Sequence, residues 1–240
     1  MADGNRVSQE IINRFNVIDA ACVGDVVRGL GLNGIPEGID PLARDMKICG
    51  PAVTMRHIAS RDNLNRARHE KVLVEMCRPG DVLVIDMGGR TDGGTWGGNI
   101  TVEAIQRGLN GVVVDGGTRD ILEIIEAGFP TFVRGHTLKH THGAFMSTCL
   151  NTEPVQIGEP PFTVPVAPGD IVIGNADGIV IVPAERAEEI LGLAEERHAG
   201  DLRMHTLLES GKKHGDPEVD AQVQVSRRLE GVKQAEGYKW

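Results

Sequence analysis

The segment 112–124, VVVDGGTRDILEI, places an arginine and an aspartate directly after an apolar run. The valines predict a buried strand, and the isoleucines that follow have helical spacing. Arg119 and Asp120 are therefore expected at the carboxyl end of a strand, on the first turn of a helix, where open α/β sheets bind ligands. An arginine there can hold a carboxylate through two parallel hydrogen bonds. An aspartate there can hold a hard divalent cation.

An ordinary helix start is the competing interpretation of the same residues. Thr118 is a suitable N-cap, and an aspartate in the first turn is favoured by the helix dipole whether or not it has a function. Arg119 fits this interpretation less well, because a cation at a helix N-terminus opposes the dipole. The arginine is thus the stronger indication of a ligand site.

A second candidate feature is the glycine-rich segment 88–98, GGRTDGGTWGG, which is predicted to be a loop without regular structure. It ends where the next helix begins, so the backbone amides of Gly97, Gly98, Asn99 and Ile100 predict an anion site. It should lie on the same rim of the sheet as Arg119. The segment matches neither GxxxxGK[ST] nor GxGxxG, which gives nucleotide binding little support.

The histidines and cysteines are weaker candidates. His136, His140 and His142 lie close together in GHTLKHTHG, but there is no HExxH, and structural or surface roles are favoured. The four cysteines form no CxxC pair, which favours buried reduced thiols over a disulfide framework or a zinc site.

Periodicity along the chain predicts an α/β fold. The pattern indicates a helical N-terminal region over 7–31 broken near Asn16 and Asp19. Further predicted helices cover 62–78, 100–109, 118–129 and 184–212, the last with a possible break at Gly200. Predicted strands cover 48–58, 81–87, 111–115 and 131–135, followed by a hairpin with Gly178 in its turn. The βαβαβ alternation predicts a central, largely parallel or mixed sheet. We expect one α/β domain over 1–212, including the long C-terminal helix, and a polar tail over 213–240.

Composition limits the class of partner. The formal charge of −9 and the absence of a basic patch argue against nucleic-acid binding. No apolar run approaches the roughly 20 residues of a membrane span, and the N-terminus lacks the apolar stretch of a secretory signal. We therefore expect a cytoplasmic protein that contacts no membrane.

Several motifs resemble those of one known family. GPAVTMR (50–56), WGGN (96–99), NGVVVDGGTRD (110–120), GFP (128–130) and ADGIVIVP (176–183) occur in order, with Gly98 lying 21 positions before Arg119. They resemble the family of the regulator of ribonuclease activity A and the class II pyruvate aldolases for 4-hydroxy-4-methyl-2-oxoglutarate and 4-carboxy-4-hydroxy-2-oxoadipate. The resemblance covers roughly residues 15–210.

The resemblance implies a fold, an assembly and an activity. The fold is a swivelling β/β/α-type single domain, assembled as a homotrimer or as a homohexamer made of two trimers, with sites between subunits. By similarity, Asp120 binds Mg²⁺ or Mn²⁺, Arg119 contacts the substrate and stabilises an enolate, and the amides of Gly98 to Ile100 hold the pyruvate carboxylate. The implied activity is a metal-dependent lyase that cleaves a 4-hydroxy-2-oxo acid, with oxaloacetate decarboxylation as a side activity.

Two departures from the aldolase pattern leave alternatives open. The aldolases carry an acid at the position of Gly98, for which Asn99 or Asp92 could substitute. They also take a glutamate from a neighbour's C-terminal helix, matched here by Glu195, Glu196 or Asp201 in AEERHAGD (194–201), with His198 as the alternative occupant of the expected position. The alternatives to the aldolase are a regulator that acts by contact alone and a related enzyme for another sugar acid or hydroxy acid. The long helix after ADGIVIVP favours the lyase, because the regulator type is shorter.

Overall fold

The computed structural model describes residues 7–59, 72, 73, 75–140 and 145–230, the last six by their backbone only. Its α-helices are α1 (Gln9–Phe15), α2 (Ala20–Gly29), α3 (Gly98–Gln106), α4 (Ile121–Glu126), α5 (Ala187–Glu209) and α6 (Pro217–Glu230). Its strands are β1 (Asp40–Pro41), β2 (Ile48–Ala59), β3 (Val82–Asp86), β4 (Gly94–Trp96), β5 (Gly111–Thr118), β6 (Thr131–His136), β7 (Phe145–Leu150), β8 (Val155–Ile157), β9 (Val164–Val166), β10 (Ile171–Asn175) and β11 (Gly178–Val182).

The predicted mixed α/β fold is confirmed. Strands β2, β3, β5 and β6 run parallel at the centre of a sheet whose order is β1-β6-β5-β3-β2-β10-β11. Its flanking pairs, β1 with β6 and β10 with β2 and β11, are antiparallel. Strands β1 and β11 also contact each other, so the sheet is nearly closed. Because the parallel strands are covered on both faces, β3 and β5 are buried along their whole length.

The helices surround this sheet at both ends of the chain. Asp19 accepts a hydrogen bond from the amide of Ala21 at 2.9 Å, and this N-cap explains the predicted break between α1 and α2. The possible break at Gly200 is not found, since α5 continues through it. A Cβ at Gly200 would lie 2.9 Å from Gln222 Nε2, so the glycine gives α6 room to pack there.

Other predicted elements agree only in part. Val72, Leu73 and Glu75 are helical, but most of the predicted helix over 62–78 lies outside the described residues. Gly178 begins β11 and pairs with Asn175, so the hairpin turn is Ala176 and Asp177. The division into a domain over 1–212 and a tail over 213–240 stays a prediction; within that tail, α6 packs against α5 and α2. Within the described ranges, no helix is long and apolar enough to cross a membrane.

A row of four charges crosses the carboxyl ends of the parallel strands. Arg56 on β2 pairs with Asp86 on β3, and Arg134 on β6 pairs with Asp115 on β5, each at 2.8 Å. Asp86 and Asp115 are neighbours in the register of β3 and β5. The carboxylates are 8% and 2% exposed, and burial raises the pKa of Asp115 although Arg134 opposes the shift. A buried charge of this kind destabilises the fold strongly when its partner is removed.

Backbone amides complete the row and connect it to its surroundings. Asp86 accepts a hydrogen bond from Gly88 at 2.8 Å, which fixes the start of the glycine-rich segment. Asp86 and Asp115 also accept bonds from the amides of Gln156 and Gly158, each at 3.1 Å. The row therefore anchors both the glycine-rich segment and strand β8.

Removal of one buried partner should destabilise the fold strongly. We expect Arg134→Met to lower the free energy of unfolding by about 3–5 kcal/mol, because Asp115 would be left as an uncompensated buried charge. Arg186→Met is the matched control, since Arg186 pairs with Glu189 on the surface, and such pairs contribute at most about 1 kcal/mol. Urea unfolding followed by circular dichroism measures both. Equal losses in the two variants would contradict this role of the row.

Candidate active site at the ends of β4 and β5

The junction between β5 and α4 differs from its predicted geometry. Strand β5 extends to Thr118, so the prediction that Thr118 caps the helix is wrong. Asp120 takes the N-cap position in the left-handed region, with φ 59° and ψ 39°. Aspartate visits this region more readily than most residues, at a cost of roughly 1–2 kcal/mol. Such outliers cluster at functional sites.

The side chain of Asp120 does not cap its own helix. Its Oδ2 accepts a hydrogen bond from the amide of Gly98 at 3.1 Å, and its Oδ1 accepts one from Arg119 Nε at 3.2 Å. The carboxylate therefore joins the start of α3 to the end of β5. The Arg119 and Asp120 side chains are 36% and 30% exposed, which leaves both open to a ligand.

The glycine-rich segment contains a short strand, so the prediction that 88–98 lacks regular structure is wrong for Gly94–Trp96. This strand, β4, pairs in parallel with the end of β5, and Trp96 O accepts a hydrogen bond from Arg119 N at 3.0 Å. Trp96 is buried, stacks on Phe129 with ring centroids 6.2 Å apart, and donates from Nε1 to Thr101 at 2.9 Å. These contacts hold β4 beside Arg119.

Glycine in β4 and just after it leaves room for the close approach of Arg119 to the backbone. A Cβ at Gly94 would lie 3.1 Å from Arg119 Cγ, and one at Gly97 would lie 3.4 Å from the same atom. The Cβ at Gly97 would also lie 2.7 Å from Asp120 Oδ2. The stem of Arg119 therefore lies along β4, with Asp120 at the Gly97 end.

The predicted site residues Gly97, Gly98, Asn99, Ile100, Arg119 and Asp120 thus come together at the start of α3. Gly97 is the N-cap of α3 and has an extended backbone. The amide of Gly98 is used by Asp120, whereas those of Asn99 and Ile100 have no acceptor within the described part of the chain. Two free amides at a helix N-terminus provide an anion site.

Sequence reasoning missed Glu123. A Cβ at Gly98 would overlap Glu123 Oε2, so this carboxylate occupies the space that a side chain at 98 would fill. The signal was available, because residues three apart share one face of a helix and Glu123 follows Asp120 by three. Asp120 and Glu123 together place two carboxylates beside Gly97 and Gly98.

The two carboxylates suit a hard divalent cation. Mg²⁺ is commonly held by one or two carboxylates and keeps several waters. Among the described residues, no group of three or more His, Cys, Asp or Glu side chains could hold a metal ion. Asp120 and Glu123 would therefore need water or substrate oxygens to complete a coordination shell.

Asp92, one of the two residues expected to replace an acid at 98, is engaged elsewhere. It makes two hydrogen bonds with Arg90, at 2.7 and 3.1 Å, and this pairing lowers the pKa of Asp92. Asn99, the other, lies at the start of α3 but carries no charge.

The acids of the C-terminal helix differ in their availability. Glu195 is paired with Arg14 through two bonds of 2.7 and 2.8 Å. Asp201 accepts a hydrogen bond from Cys22 Sγ at 3.4 Å. Glu196 is exposed, and within the described residues it has no charged partner.

Two of the candidate histidines differ in what can be said of them. His142 lies outside the described residues, whereas the backbone of His140 forms an isolated parallel β-bridge with Gly94.

These features define an α/β protein with an arginine, two carboxylates and free helix amides where parallel strands end. The family model for RraA-like proteins, described as Aldolase/RraA, matches residues 16–181. The chain belongs to the RraA-like family.

Individual relatives span most of the chain. A protein of Halalkalibacterium halodurans named "Putative 4-hydroxy-4-methyl-2-oxoglutarate aldolase" is 33% identical over 194 residues, covering 80% of this chain and 85% of that protein. The structure of Streptomyces coelicolor RraAS2, described as an unusual member of the RNase ES inhibitor RraA family, is 27% identical with a TM-score of 0.74, covering 83% of this chain and 98% of that one. An uncharacterised protein from Pseudomonas syringae shares the fold, with a TM-score of 0.77 and 23% identity over 92% of this chain and 98% of that one.

The contact at Gly98 gives a structural prediction. We expect Gly98→Ala to displace the Glu123 carboxylate while leaving the melting temperature within a few degrees, because only the end of a flexible side chain must move. Gly97→Ala should cost more, since its Cβ meets Asp120 as well as Arg119. Crystal structures and thermal unfolding of both variants provide the measurement. An unmoved Glu123 in Gly98→Ala would contradict the described geometry.

Proposed function

We propose that this protein is a divalent-metal-dependent carbon–carbon lyase. It would cleave a 4-hydroxy-2-oxo acid to pyruvate and a carbonyl product through a pyruvate enolate, and it would decarboxylate oxaloacetate through the same enolate. The observation that carries the proposal is the meeting of Arg119, Asp120 and the free amides of α3 at one point. The names of relatives such as the Halalkalibacterium protein support the same chemistry.

Substrate binding begins at the start of α3. The amides of Asn99 and Ile100 would donate hydrogen bonds to the C1 carboxylate of a 2-oxo acid, and the positive end of the helix dipole favours that charge. The 2-oxo group would then lie between Arg119 and Asp120, since both side chains border these amides.

Arg119 would stabilise the charge that develops during the reaction. When the C3–C4 bond breaks, its electron pair moves toward C2 and leaves negative charge on the former keto oxygen. The guanidinium uses Nε for Asp120 and has further N–H groups to donate to that oxygen. A fixed donor placed where charge develops lowers the barrier.

A divalent ion fits the acidic side of the site. Asp120 would hold Mg²⁺ or Mn²⁺, since hard cations prefer oxygen ligands, and Glu123 would stay uncoordinated beside it. When bound, such an ion supplies Lewis-acid polarisation of the 2-oxo group.

Glu123 would act as the general base and then as the general acid of the reaction. In the aldol cleavage it would take the proton of the C4 hydroxyl, directly or through water, as C3–C4 breaks and C4 becomes a carbonyl. It would then return a proton to C3 of the enolate, so that it ends in its starting state. Glu123 would thereby supply from α4 a carboxylate near the position where the aldolases carry an acid, that of Gly98.

A neighbouring subunit would complete the site. We expect a homotrimer or a dimer of trimers, as the resemblance implies. Of the acids in the 194–201 segment, Glu196 is the exposed one whose carboxylate is not committed to a described partner. It is therefore the acid of α5 best placed to reach another subunit.

The second candidate function is a regulator that acts by contact. RraAS2, whose title names the RNase ES inhibitor family, aligns with 83% of this chain. Because 98% of that protein aligns with this chain, the shared fold does not separate the two functions, and the expectation that the regulator type is shorter and lacks the long helix stays a prediction. Activity measurements decide between the two functions.

Pyruvate release tests the proposed chemistry. Oxaloacetate and 4-hydroxy-4-methyl-2-oxoglutarate are offered with Mg²⁺ or Mn²⁺, and pyruvate is detected with lactate dehydrogenase. Metal without protein is the blank, because oxaloacetate also loses CO₂ unaided. We expect pyruvate in the presence of metal and none with a chelator. Arg119→Ala should lower kcat by about 10²–10³-fold, and Asp120→Ala should remove metal-dependent turnover.

Arg107→Ala and Asp92→Asn are the matched controls, since neither residue belongs to the proposed site. Near-wild-type turnover in Arg119→Ala or Asp120→Ala would refute the assignment. If the wild-type protein makes no pyruvate from either substrate, the regulator becomes the favoured function.

A neutral amide in place of Glu123 tests its role as the proton carrier. We expect Glu123→Gln to lower kcat by about 10²-fold with a smaller change in KM, since proton transfer by a positioned side chain contributes about 10²–10⁴-fold. Glu126→Gln, on the same helix and exposed, is the control. The exchange of pyruvate methyl protons with D₂O, followed by NMR, isolates the step at C3. Equal exchange rates in the two variants would exclude Glu123 from proton transfer.

A further inference from the structure

A groove of about 520 Å³ lies on a part of the surface that the proposed function does not use. It is formed by α2, by the segment 35–40 that leads into β1, and by the turn between β10 and β11. None of the described residues that line it belongs to the site at the ends of β4 and β5.

The groove has an apolar floor. Ile39, Ile179 and Val180 line it together with Ile35, which is 44% exposed. Ile35 lies against α2, where a Cβ at Gly24 would be 3.4 Å from Ile35 Cδ1. Concave surfaces that combine apolar walls with a few polar groups commonly bind another molecule or segment.

The rim of the groove is acidic. Glu37, Asp40 and Asp177 are exposed, and none of the three has an ion-pair partner among the residues that the structure describes. Arg28 is the one cation lining the groove within those residues, and it lies 3.8 Å from Asp25. The rim therefore favours a positively charged occupant, and the floor favours one with apolar or aromatic side chains.

The segment 231–240, GVKQAEGYKW, has this combination of properties. It follows α6 and lies outside the described residues. Lys233 and Lys239 give it two positive charges against one glutamate, in a chain whose formal charge is −9. Tyr238 is the only tyrosine of the chain and Trp240 is one of its two tryptophans. These two residue types are frequent anchors of binding surfaces.

The position of α6 brings this segment within reach of the groove. Helix α6 packs against α2, and its residues Val219 and Gln222 are buried. Glu230, at the end of the helix, is eight residues beyond Gln222, which corresponds to about 12 Å of helix. Ten extended residues span about 33 Å, whereas the whole of α2 is about 15 Å long. The segment can therefore return along α2 to the groove.

We propose that residues 231–240 dock in the groove of their own chain. Lys233 and Lys239 would pair with the acids of the rim, while Tyr238 and Trp240 would cover Ile35 and the apolar floor. Because a short tether gives a local concentration on the order of 1 mM, a contact with a Kd of about 0.1 mM between separate molecules would keep most segments docked. The inference does not depend on the proposed lyase, since no residue of that site takes part.

Quenching of tryptophan fluorescence by acrylamide tests the docking in the full chain. Trp96 is 1% exposed and is therefore shielded from the quencher, so the accessible emission reports Trp240. We expect its quenching constant to be several-fold lower than that of the free peptide GVKQAEGYKW. Trp240→Phe should remove the quenchable emission, which verifies its source. Equal quenching in the protein and in the peptide would overturn the inference.

Variants of the rim show whether the segment docks in this groove. We expect Glu37→Gln combined with Asp177→Asn to raise the quenching constant toward that of the peptide, because the lysines would lose their partners. Glu126→Gln combined with Glu185→Gln is the matched control, since it removes the same charge from exposed acids that do not line the groove. Circular dichroism verifies that both variants are folded. Unchanged protection of Trp240 in the rim variant would contradict the proposal.

Photo-crosslinking identifies the chain that receives the segment. Benzoylphenylalanine in place of Trp240 reacts with the C–H bonds that it contacts. A crosslink to α2, 35–40 or 175–180 in a product that runs as a monomer on a denaturing gel would support docking within one chain. A crosslinked dimer would show that the segment binds a second copy, and a crosslink elsewhere would show that it binds another surface. Either result would refute the proposed docking.

Discussion

The site depends on one close approach, that of the Arg119 side chain and the Asp120 carboxylate to the backbone of 94–98. A Cβ at Gly97 would lie against Asp120 Oδ2, and the Glu123 carboxylate occupies the space that a Cβ at Gly98 would fill. It lets a carboxylate reach the amide of Gly98 and lets the arginine stem lie along β4. The same absence of side chains leaves the amides of Asn99 and Ile100 open to an anion. In the proposed site, glycine at these positions would decide which groups can contact a ligand.

The packing around that approach explains why it is stable. Trp96 anchors β4 through Phe129 and Thr101, and the row of Arg56, Asp86, Asp115 and Arg134 fixes the start of the glycine-rich segment through Gly88. Both arrangements lie at the carboxyl ends of the parallel strands, where chain direction reverses into loops and helices. The sheet thus provides a rigid base for a segment whose own composition favours disorder.

Much of this could be predicted because it depends on local patterns. The apolar runs of β3 and β5 and the strand–turn–helix spacing identified Arg119, Asp120 and the α3 amides. Strand β4 could not be predicted, because a glycine-rich segment has low strand propensity and is held by the tertiary contacts of Trp96. The position of Glu123 beside Gly98 likewise depends on which backbone segments meet in space. The left-handed backbone of Asp120 occurs together with its bond to Gly98, a contact that no local rule contains.

Electrostatics explains why an acid lies next to Arg119. A guanidinium at the N-terminus of α4 opposes the helix dipole, so Arg119 needs a nearby negative charge, and Asp120 and Glu123 provide it. The two acids alone would repel an anionic substrate, whereas Arg119 and the α3 amides offset that repulsion. Under the proposed function, a 2-oxo acid would present a carboxylate and a polarisable carbonyl side by side, so the site would need both signs of charge. An adjacent Arg-Asp pair meets both requirements within one turn of chain, and the glycines opposite let both side chains reach the same ligand.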